Sequence, residues 1–175
     1  MERAYHKWFS PTLNRNMEML VFDREGIPVV FFPTRPAHFY DFENWRVIDA
    51  MKDRIETGRI QVYCVDSIDS ESFYSDAPPP CRIARHIQYE KYILDEVIPF
   101  IRTQNKEPGL VAAGCSLGGY HAVNIAFKHP TLFTKVVGMS ARYDLTQPLP
   151  YFADLFDGYF DENIYFNMPN HFVPG

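Results

Sequence analysis

The sequence predicts an α/β fold in which helices cover both faces of a mostly parallel β-sheet. Strand-like and helix-like segments alternate along the chain, the strand-like runs are short and almost entirely apolar, and no segment repeats. The chain has 175 residues, of which 46% are apolar, and this is enough for one domain with a substantial core. We therefore expect a single domain over residues 1–175.

Apolar runs predict strands at residues 17–22, 27–32, 60–65, 110–114 and 135–139. The first two runs flank Asp23-Arg24-Glu25-Gly26, a polar turn, and are predicted to pair as a β-hairpin. Longer segments separate the other runs, so we expect helical connections and parallel pairing.

Three helices are predicted between these strands. The first begins at Asp41 or Asn44, runs to residue 57 and ends before Gly58, a residue type suited to the position after a helix. Its buried face is expected to hold Trp45, Ile48, Met51 or Lys52, and Ile55. A long helix from about residue 82 should kink or restart at Pro99, and a third helix covers 117–128.

The segment Gly114-Cys115-Ser116-Leu117-Gly118 reads G-x-S-x-G between a predicted strand and a predicted helix. Strand, sharp turn and helix form the nucleophile elbow of α/β-hydrolases, with the serine exposed at its tip. The glycines are needed because larger side chains beside so tight a turn would collide. Ser116 is therefore the candidate nucleophile, and the N–H of Leu117 is the candidate oxyanion donor.

Two alternatives to a catalytic Ser116 remain open from the residues alone. The motif also fits a glycine-rich turn that carries an idle serine. Cys115 is a second possible nucleophile by residue type, but its position before Ser116 turns its side chain away from the tip of the elbow.

The chain resembles the Putative esterase branch of the α/β-hydrolases, which includes esterase D-like enzymes, S-formylglutathione hydrolases, feruloyl esterases and mycolyltransferases. The resemblance covers roughly residues 17–145 and is strongest at the elbow. The segments that carry it are Pro28-Val29-Val30-Phe31-Phe32-Pro33-Thr34, Tyr63-Cys64-Val65-Asp66-Ser67, Gly114-Cys115-Ser116-Leu117-Gly118-Gly119-Tyr120-His121-Ala122 and Val137-Gly138-Met139-Ser140-Ala141.

The resemblance implies an acyl-enzyme intermediate on Ser116 and a first oxyanion donor at the N–H of Leu117. It places the second donor in the loop after residues 27–32, where the match falls on Arg35. This loop reads Arg35-Pro36-Ala37, whereas family members tend to have glycines or small residues there, and Pro36 has no N–H to donate.

A catalytic serine needs a histidine base and an acid that orients it, in the chain order Ser, Asp or Glu, His. Asp144 and His171 follow Ser116 in that order and are the candidates within the chain. The resemblance also implies further strands after residues 135–139. We therefore expect a form of the fold truncated after its sixth strand, with the acid and the base in a later segment as the other possibility.

Residues 146–172 are aromatic and acidic, which is typical of a cap or lid over an active site. Ending the sheet at residues 135–139 would leave that strand exposed, and exposed strand edges pair with other chains. The sequence therefore predicts a homo-oligomer or self-association through the sheet edge.

From these features we expect a serine esterase that hydrolyses small-molecule carboxylic esters or thioesters. The alternative is an inactive hydrolase-fold fragment that acts as an interaction or structural module. No His, Cys and Asp spacing is typical of a metal site and no phosphate-binding motif occurs, so we expect no cofactor or metal.

The composition bears on partners and location. The net charge of −5 argues against binding to nucleic acid or to anionic membranes. No apolar run is long enough to span a bilayer, and Met1-Glu2-Arg3-Ala4 begins no apolar signal segment. The three cysteines have no pairing pattern, which favours reduced thiols and a cytoplasmic location.

Overall fold

One six-stranded sheet organises the chain, which a computed structural model describes for residues 1–173. The strands are β1 (Arg3–Ser10), β2 (Arg15–Phe22), β3 (Ile27–Phe32), β4 (Ile60–Val65), β5 (Val111–Cys115) and β6 (Lys135–Met139). Their order across the sheet is β1-β2-β4-β3-β5-β6. The pairs β3–β4, β3–β5 and β5–β6 are parallel, and β1–β2 and β2–β4 are antiparallel.

The predicted hairpin between residues 17–22 and 27–32 is wrong. In the structure β4 lies between β2 and β3 and pairs with both of them. The hairpin is formed instead by β1 and β2, and the sequence analysis did not identify β1 as a strand. The missed signal is an alternation in β1, where Ala4 and Trp8 pack against the core while the residues between them are exposed or polar.

Successive residues of each central strand pack into different cores, because strand side chains alternate between the two faces of a sheet. Val30 and Phe32 of β3 belong to the larger core, and Phe31 belongs to the second core on the opposite face. Both faces of the central strands are therefore covered by helices, as the fold class predicts.

The second core lies under three short helices, α1 (Asp41–Asn44), α2 (Val47–Ala50) and α3 (Lys52–Glu56). The prediction of one continuous helix was wrong, because Arg46 adopts a left-handed backbone conformation with φ of 60° and interrupts it. Ile48 and Ile55 are buried as predicted, but Trp45 is 52% exposed. Gly58 has φ of 65° just after α3, the conformation expected there.

The larger core lies under α4 (Pro79–Tyr92) and α5 (Ile98–Gln104), joined by a π-helical turn at Ile93–Val97. Pro99 accounts for this irregularity, since it donates no backbone hydrogen bond and its ring crowds the preceding turn. The predicted restart at Pro99 is thus observed as a change in helical winding rather than as a break.

The last helices, α7 (Glu162–Tyr165) and α8 (Pro169–Phe172), lie in the aromatic segment. This segment buries Phe156, Ile164 and Met168 in a third core that it shares with Leu117 and Tyr120 of α6 (Leu117–Lys128). The segment is therefore attached to the helix that follows the G-x-S-x-G motif.

Strand β6 is at one edge of the sheet and is largely exposed. Val137 and Met139 are 45% and 41% exposed, although both are apolar. Val137 is opposite Ala113 in the sheet, so it lies on the face of the second core, where α1 to α3 do not cover it. One apolar strand face is consequently open to solvent.

Candidate active site

Ser116 lies in a sharp turn between β5 and α6. Its backbone has φ of 53° and ψ of −121°, a strained combination for a residue with a side chain. The Ser116 N–H donates to the carbonyl of Met139, 2.8 Å away, which fixes the turn against β6. The expected strand–turn–helix geometry at the motif is therefore present.

The two motif glycines are required by close backbone approaches. A Cβ atom on Gly114 would lie 2.2 Å from the backbone of Gly118. A Cβ on Gly118 would lie 2.2 Å from the carbonyl oxygen of Phe32, at the end of β3. The start of α6 thus rests directly on the loop that leaves β3.

The candidate oxyanion donors lie on these two adjoining segments. Leu117 begins α6, and its N–H donates to no backbone carbonyl of residues 1–173, as is usual in the first turn of a helix. Arg35 lies two residues beyond Pro33, whose carbonyl also adjoins Gly118, and its N–H has no backbone acceptor in the same range. The geometry is compatible with both predicted roles.

A cleft of about 90 Å³ opens beside Ser116. Its lining comprises Tyr74, Ser116, Leu117, Tyr120, Ser140, Ala141, Arg142, Leu145 and Phe152. Tyr74 comes from the loop after β4, and Phe152 comes from the aromatic segment 146–172. The cleft lies at the carboxyl ends of the parallel strands, where α/β sheets usually bind ligands.

The structure brings Asp144 and His171 together. His171 Nε2 lies 3.0 Å from Asp144 Oδ2, although the contact is too poorly aligned to count as a hydrogen bond. Burial raises the pKa of Asp144, but hydrogen bonds from the Thr146 hydroxyl and N–H outweigh it and, with His171, lower the net pKa below its ordinary value. An ionised Asp144 is suited to hold a histidine.

This pair does not contact Ser116. Neither Asp144 nor His171 lines the cleft, and His171 packs edge-on against the ring of Phe160 at a centroid distance of 5.4 Å. The Ser116 Oγ has no histidine partner among residues 1–173 in this arrangement. A catalytic base at Ser116 therefore remains a prediction, as do the roles of Asp144 and His171.

The sequence analysis did not identify the partner of His121, which is Asp69. His121 Nε2 lies 2.9 Å from Asp69 Oδ1, and both side chains are almost fully buried. The other carboxylate oxygen of Asp69 has no hydrogen-bond partner among the described residues. The pair joins α6 to the loop that carries Tyr74, so it supports one wall of the cleft.

A second buried polar group joins the aromatic segment to the helices behind the elbow. The side chain of Asn167 contacts His86, Asn124 and Lys128 at 3.2, 3.2 and 3.0 Å. Burial lowers the pKa of His86 well below its ordinary value, and the nearby His121 and Lys128 act in the same direction. His86 is therefore a neutral structural histidine.

Another histidine, His38, lies near the ends of β3 and β4. Its Nδ1 is 3.2 Å from Oδ1 of Asp66, and its side chain is 54% exposed. Burial raises the pKa of Asp66. His38 does not line the cleft beside Ser116.

Within residues 1–173 no cluster of three or more His, Cys, Asp or Glu side chains is arranged to hold a metal ion. Over the same part of the chain, no helix combines the length and apolar character needed to cross a bilayer.

A sequence model of the Putative esterase family matches residues 10–162 of the chain. The match includes the elbow, the loop after β3 and most of the aromatic segment. No curated protein sequence gives a significant match.

Solved structures with the same fold include two S-formylglutathione hydrolases and a ferulic acid esterase. The hydrolase from Staphylococcus aureus is 17% identical with a TM-score of 0.61, over 83% of this chain and 60% of that chain. The hydrolase from Agrobacterium tumefaciens is 22% identical with a TM-score of 0.62, over 83% and 59%. The esterase from Anaeromyces mucronatus is 12% identical with a TM-score of 0.69, over 87% and 62%. The chain thus spans about 60% of the length of these structures.

Proposed function

The chain belongs to the Putative esterase family, and we propose on that basis that it is a serine hydrolase acting on small-molecule carboxylic esters or thioesters. The observation that carries the proposal is the strained backbone of Ser116 beside an open cleft. Strain of this kind is costly and is found mainly where function requires it.

In the proposed reaction the Ser116 Oγ attacks the ester carbonyl and forms a tetrahedral intermediate. The N–H groups of Leu117 and Arg35 stabilise the negative oxygen, and loss of one such donor typically costs about 100- to 1000-fold in rate. The alcohol or thiol then leaves, and water hydrolyses the acyl-serine.

We propose two sources for the base that accepts the serine proton. One is His171 oriented by Asp144, which requires His171 to move toward Ser116 from its contact with Phe160. Such movement fits residues 146–172 acting as a cap, since Phe152 of this segment lines the cleft. The other source is a histidine outside this chain, in keeping with the greater length of the matched structures.

The experiment that tests the proposal is labelling with an alkyl fluorophosphonate, which reacts with activated serines. We expect labelling of the chain, complete loss in Ser116→Ala, and unchanged labelling in Ser70→Ala, which removes an exposed serine of the loop after β4. If His171 is the base, His171→Ala should slow labelling by about 10⁴- to 10⁶-fold. Labelling that persists in Ser116→Ala would contradict the proposal.

An interaction or structural module is the second candidate function. It is favoured by the lack of a histidine contact at Ser116 among residues 1–173. In that case the fluorophosphonate should leave Ser116 unmodified.

We further propose that the chain self-associates through β6, and that it works in the cytoplasm. The exposed Val137 and Met139 support the first part, because an unpaired apolar strand can pair with another copy. The free state of Cys64, Cys81 and Cys115 supports the second, since reducing compartments keep thiols unpaired.

A charged substitution on β6 tests self-association. We expect Val137→Lys to shift the chain from an oligomer to a monomer in size-exclusion chromatography with light scattering, because strand edges that carry lysine resist pairing. Ala84→Lys, on the exposed side of α4, adds the same charge and should leave the oligomer intact. A monomeric unsubstituted chain would contradict the proposal.

A further inference from the structure

We infer that the substrate carries a carboxylate near its ester or thioester group, recognised by Arg142 in the cleft and by Arg35 next to it. The inference rests on the proposed function for its ester chemistry. The recognition itself depends only on the charges around the cleft.

The cleft contains one charged lining residue, Arg142, and no carboxylate. The other lining groups are apolar, aromatic or hydroxyl side chains, which cannot neutralise a guanidinium. The site beside Ser116 is therefore positive, although the whole chain has a net charge of −5. A cleft lined by one sign of charge attracts ligands of the opposite sign.

Arg142 is held in place by backbone groups rather than by an acid. Its Nη2 donates to the carbonyls of Gln147 and Ala153 at 2.8 and 3.1 Å, and its guanidinium lies 5.3 Å from the ring centre of Phe152. All of its hydrogen bonds use Nη2, and its Nη1 donates to no group of residues 1–173. Nη1 is therefore left to donate to a ligand that supplies an acceptor.

Arg35 adds a second positive charge next to the cleft. Its guanidinium lies over the ring of Tyr74, 3.5 Å from the ring centre, and Tyr74 lines the cleft. The stacking orients the guanidinium while it leaves the N–H groups free, because a cation held over an aromatic face uses none of its donors.

Five of the eleven arginines form no ion pair within residues 1–173, and two of these five, Arg35 and Arg142, are the arginines at the cleft. The other three are Arg54, Arg59 and Arg102. The arginines that do pair with a carboxylate are Arg3, Arg15, Arg24, Arg46, Arg82 and Arg85. In an acidic protein, two neighbouring unpaired arginines beside a nucleophile are suited to bind the anionic part of a substrate.

A bound carboxylate would provide the missing acceptor and the missing negative charge together. Arginine binds carboxylates through charge-assisted hydrogen bonds, which are stronger than neutral ones. A neutral ester of the same size fills the cleft without providing either. The protein should therefore discriminate between the charged and the neutral ester through the carboxylate alone.

The test compares binding of monobutyl succinate, which carries a carboxylate, with butyl methyl succinate, which does not. Affinities are measured by NMR titration of the Ser116→Ala chain, so that neither ester is consumed. We expect the half-ester to bind about 10- to 100-fold more tightly, in line with hydrogen bonds to charged groups. Added salt should reduce the preference, since salt screens exposed charges.

Two substitutions and a control test whether the preference for the half-ester arises at the cleft. Arg35→Gln and Arg142→Gln should each weaken binding of the half-ester. Arg35 makes no side-chain hydrogen bond within the described residues, so its replacement removes its charge and its contact with the Tyr74 ring but no hydrogen bond. Arg142→Gln also removes hydrogen bonds to backbone carbonyls. Arg59→Gln, just before the amino end of β4 and so away from the carboxyl strand ends where the cleft lies, is the charge-matched control and should change neither affinity.

Equal affinity for the two esters, no binding of either, or a preference that survives both cleft substitutions would overturn the inference. These results are independent of catalysis, because the measurement uses a chain without the serine hydroxyl. Fluorophosphonate labelling of the unsubstituted chain decides the proposed hydrolase activity separately.

Discussion

Gly118→Ala should destabilise the protein by about 3 kcal/mol or more. The added Cβ would lie 2.2 Å from the carbonyl oxygen of Phe32 and 2.7 Å from that of Pro33. Both are backbone atoms, so no side-chain rotation relieves the contact, and α6 must move away from β3. Alanine is intrinsically better than glycine in a helix by about 1 kcal/mol, which is too little to offset such a displacement.

Urea unfolding of the purified variants measures this effect, and Gly109→Ala is the matched control. A Cβ on Gly109 would have the side chain of Ile27 as its nearest neighbour, at an ordinary 3.4 Å. We expect that control to change the free energy of unfolding by less than about 1 kcal/mol. If Gly118→Ala changed the free energy of unfolding as little as Gly109→Ala, the elbow could not pack as closely against β3 as the structure shows.

The elbow could be predicted from the sequence because its requirements are local. Gly114 is needed because the backbone of Gly118, four residues later, approaches it within one turn. Gly118 also rests against the distant carbonyl of Phe32, a contact that the motif marks by residue type but does not identify. The irregular winding before Pro99 is also a local effect, because the missing N–H of a proline acts within its own helix.

The strand order could not be predicted because it depends on contacts between distant segments. A short polar turn between residues 17–22 and 27–32 favoured a hairpin, yet β4 pairs with both strands. Inserting β4 there lets Val62 and Cys64 pack into one core and Tyr63 and Val65 into the other. The burial of both strand faces outweighs the local preference of the turn.

Side-chain pairings at the site were predictable only in part for the same reason. Asp144 and His171 were proposed from chain order, and the structure places them in contact with each other but not with Ser116. Asp69 was not identified, because it lies 52 residues from His121 and nothing in the local sequence marks it as a partner. Chain order constrains which residues can act together, but it does not show where each side chain packs.

The buried pair between Asp69 and His121 leads to the second large prediction. His121→Leu should destabilise the protein by about 3 to 5 kcal/mol, because it leaves a carboxylate in the core without its partner. Asp69 is only 4% exposed, and its Oδ2 already lacks a hydrogen bond among the described residues. The free energy of unfolding in urea measures the loss. His129→Leu, which alters a partly exposed histidine 3.4 Å from Glu90, should cost less than about 1 kcal/mol.

A double substitution distinguishes two possible causes of the stability lost in His121→Leu. One is the Asp69 carboxylate left without a partner, and the other is the lost packing of the His121 imidazole. Asp69→Ala combined with His121→Leu removes both polar groups, so most of the stability lost in His121→Leu should return. If the double variant were no more stable than His121→Leu, packing of the ring against its aromatic neighbours, such as Phe73, would account for the loss. Recovery would instead establish that the unpartnered Asp69 carboxylate causes the loss, in the loop whose Tyr74 lines the cleft and contacts Arg35.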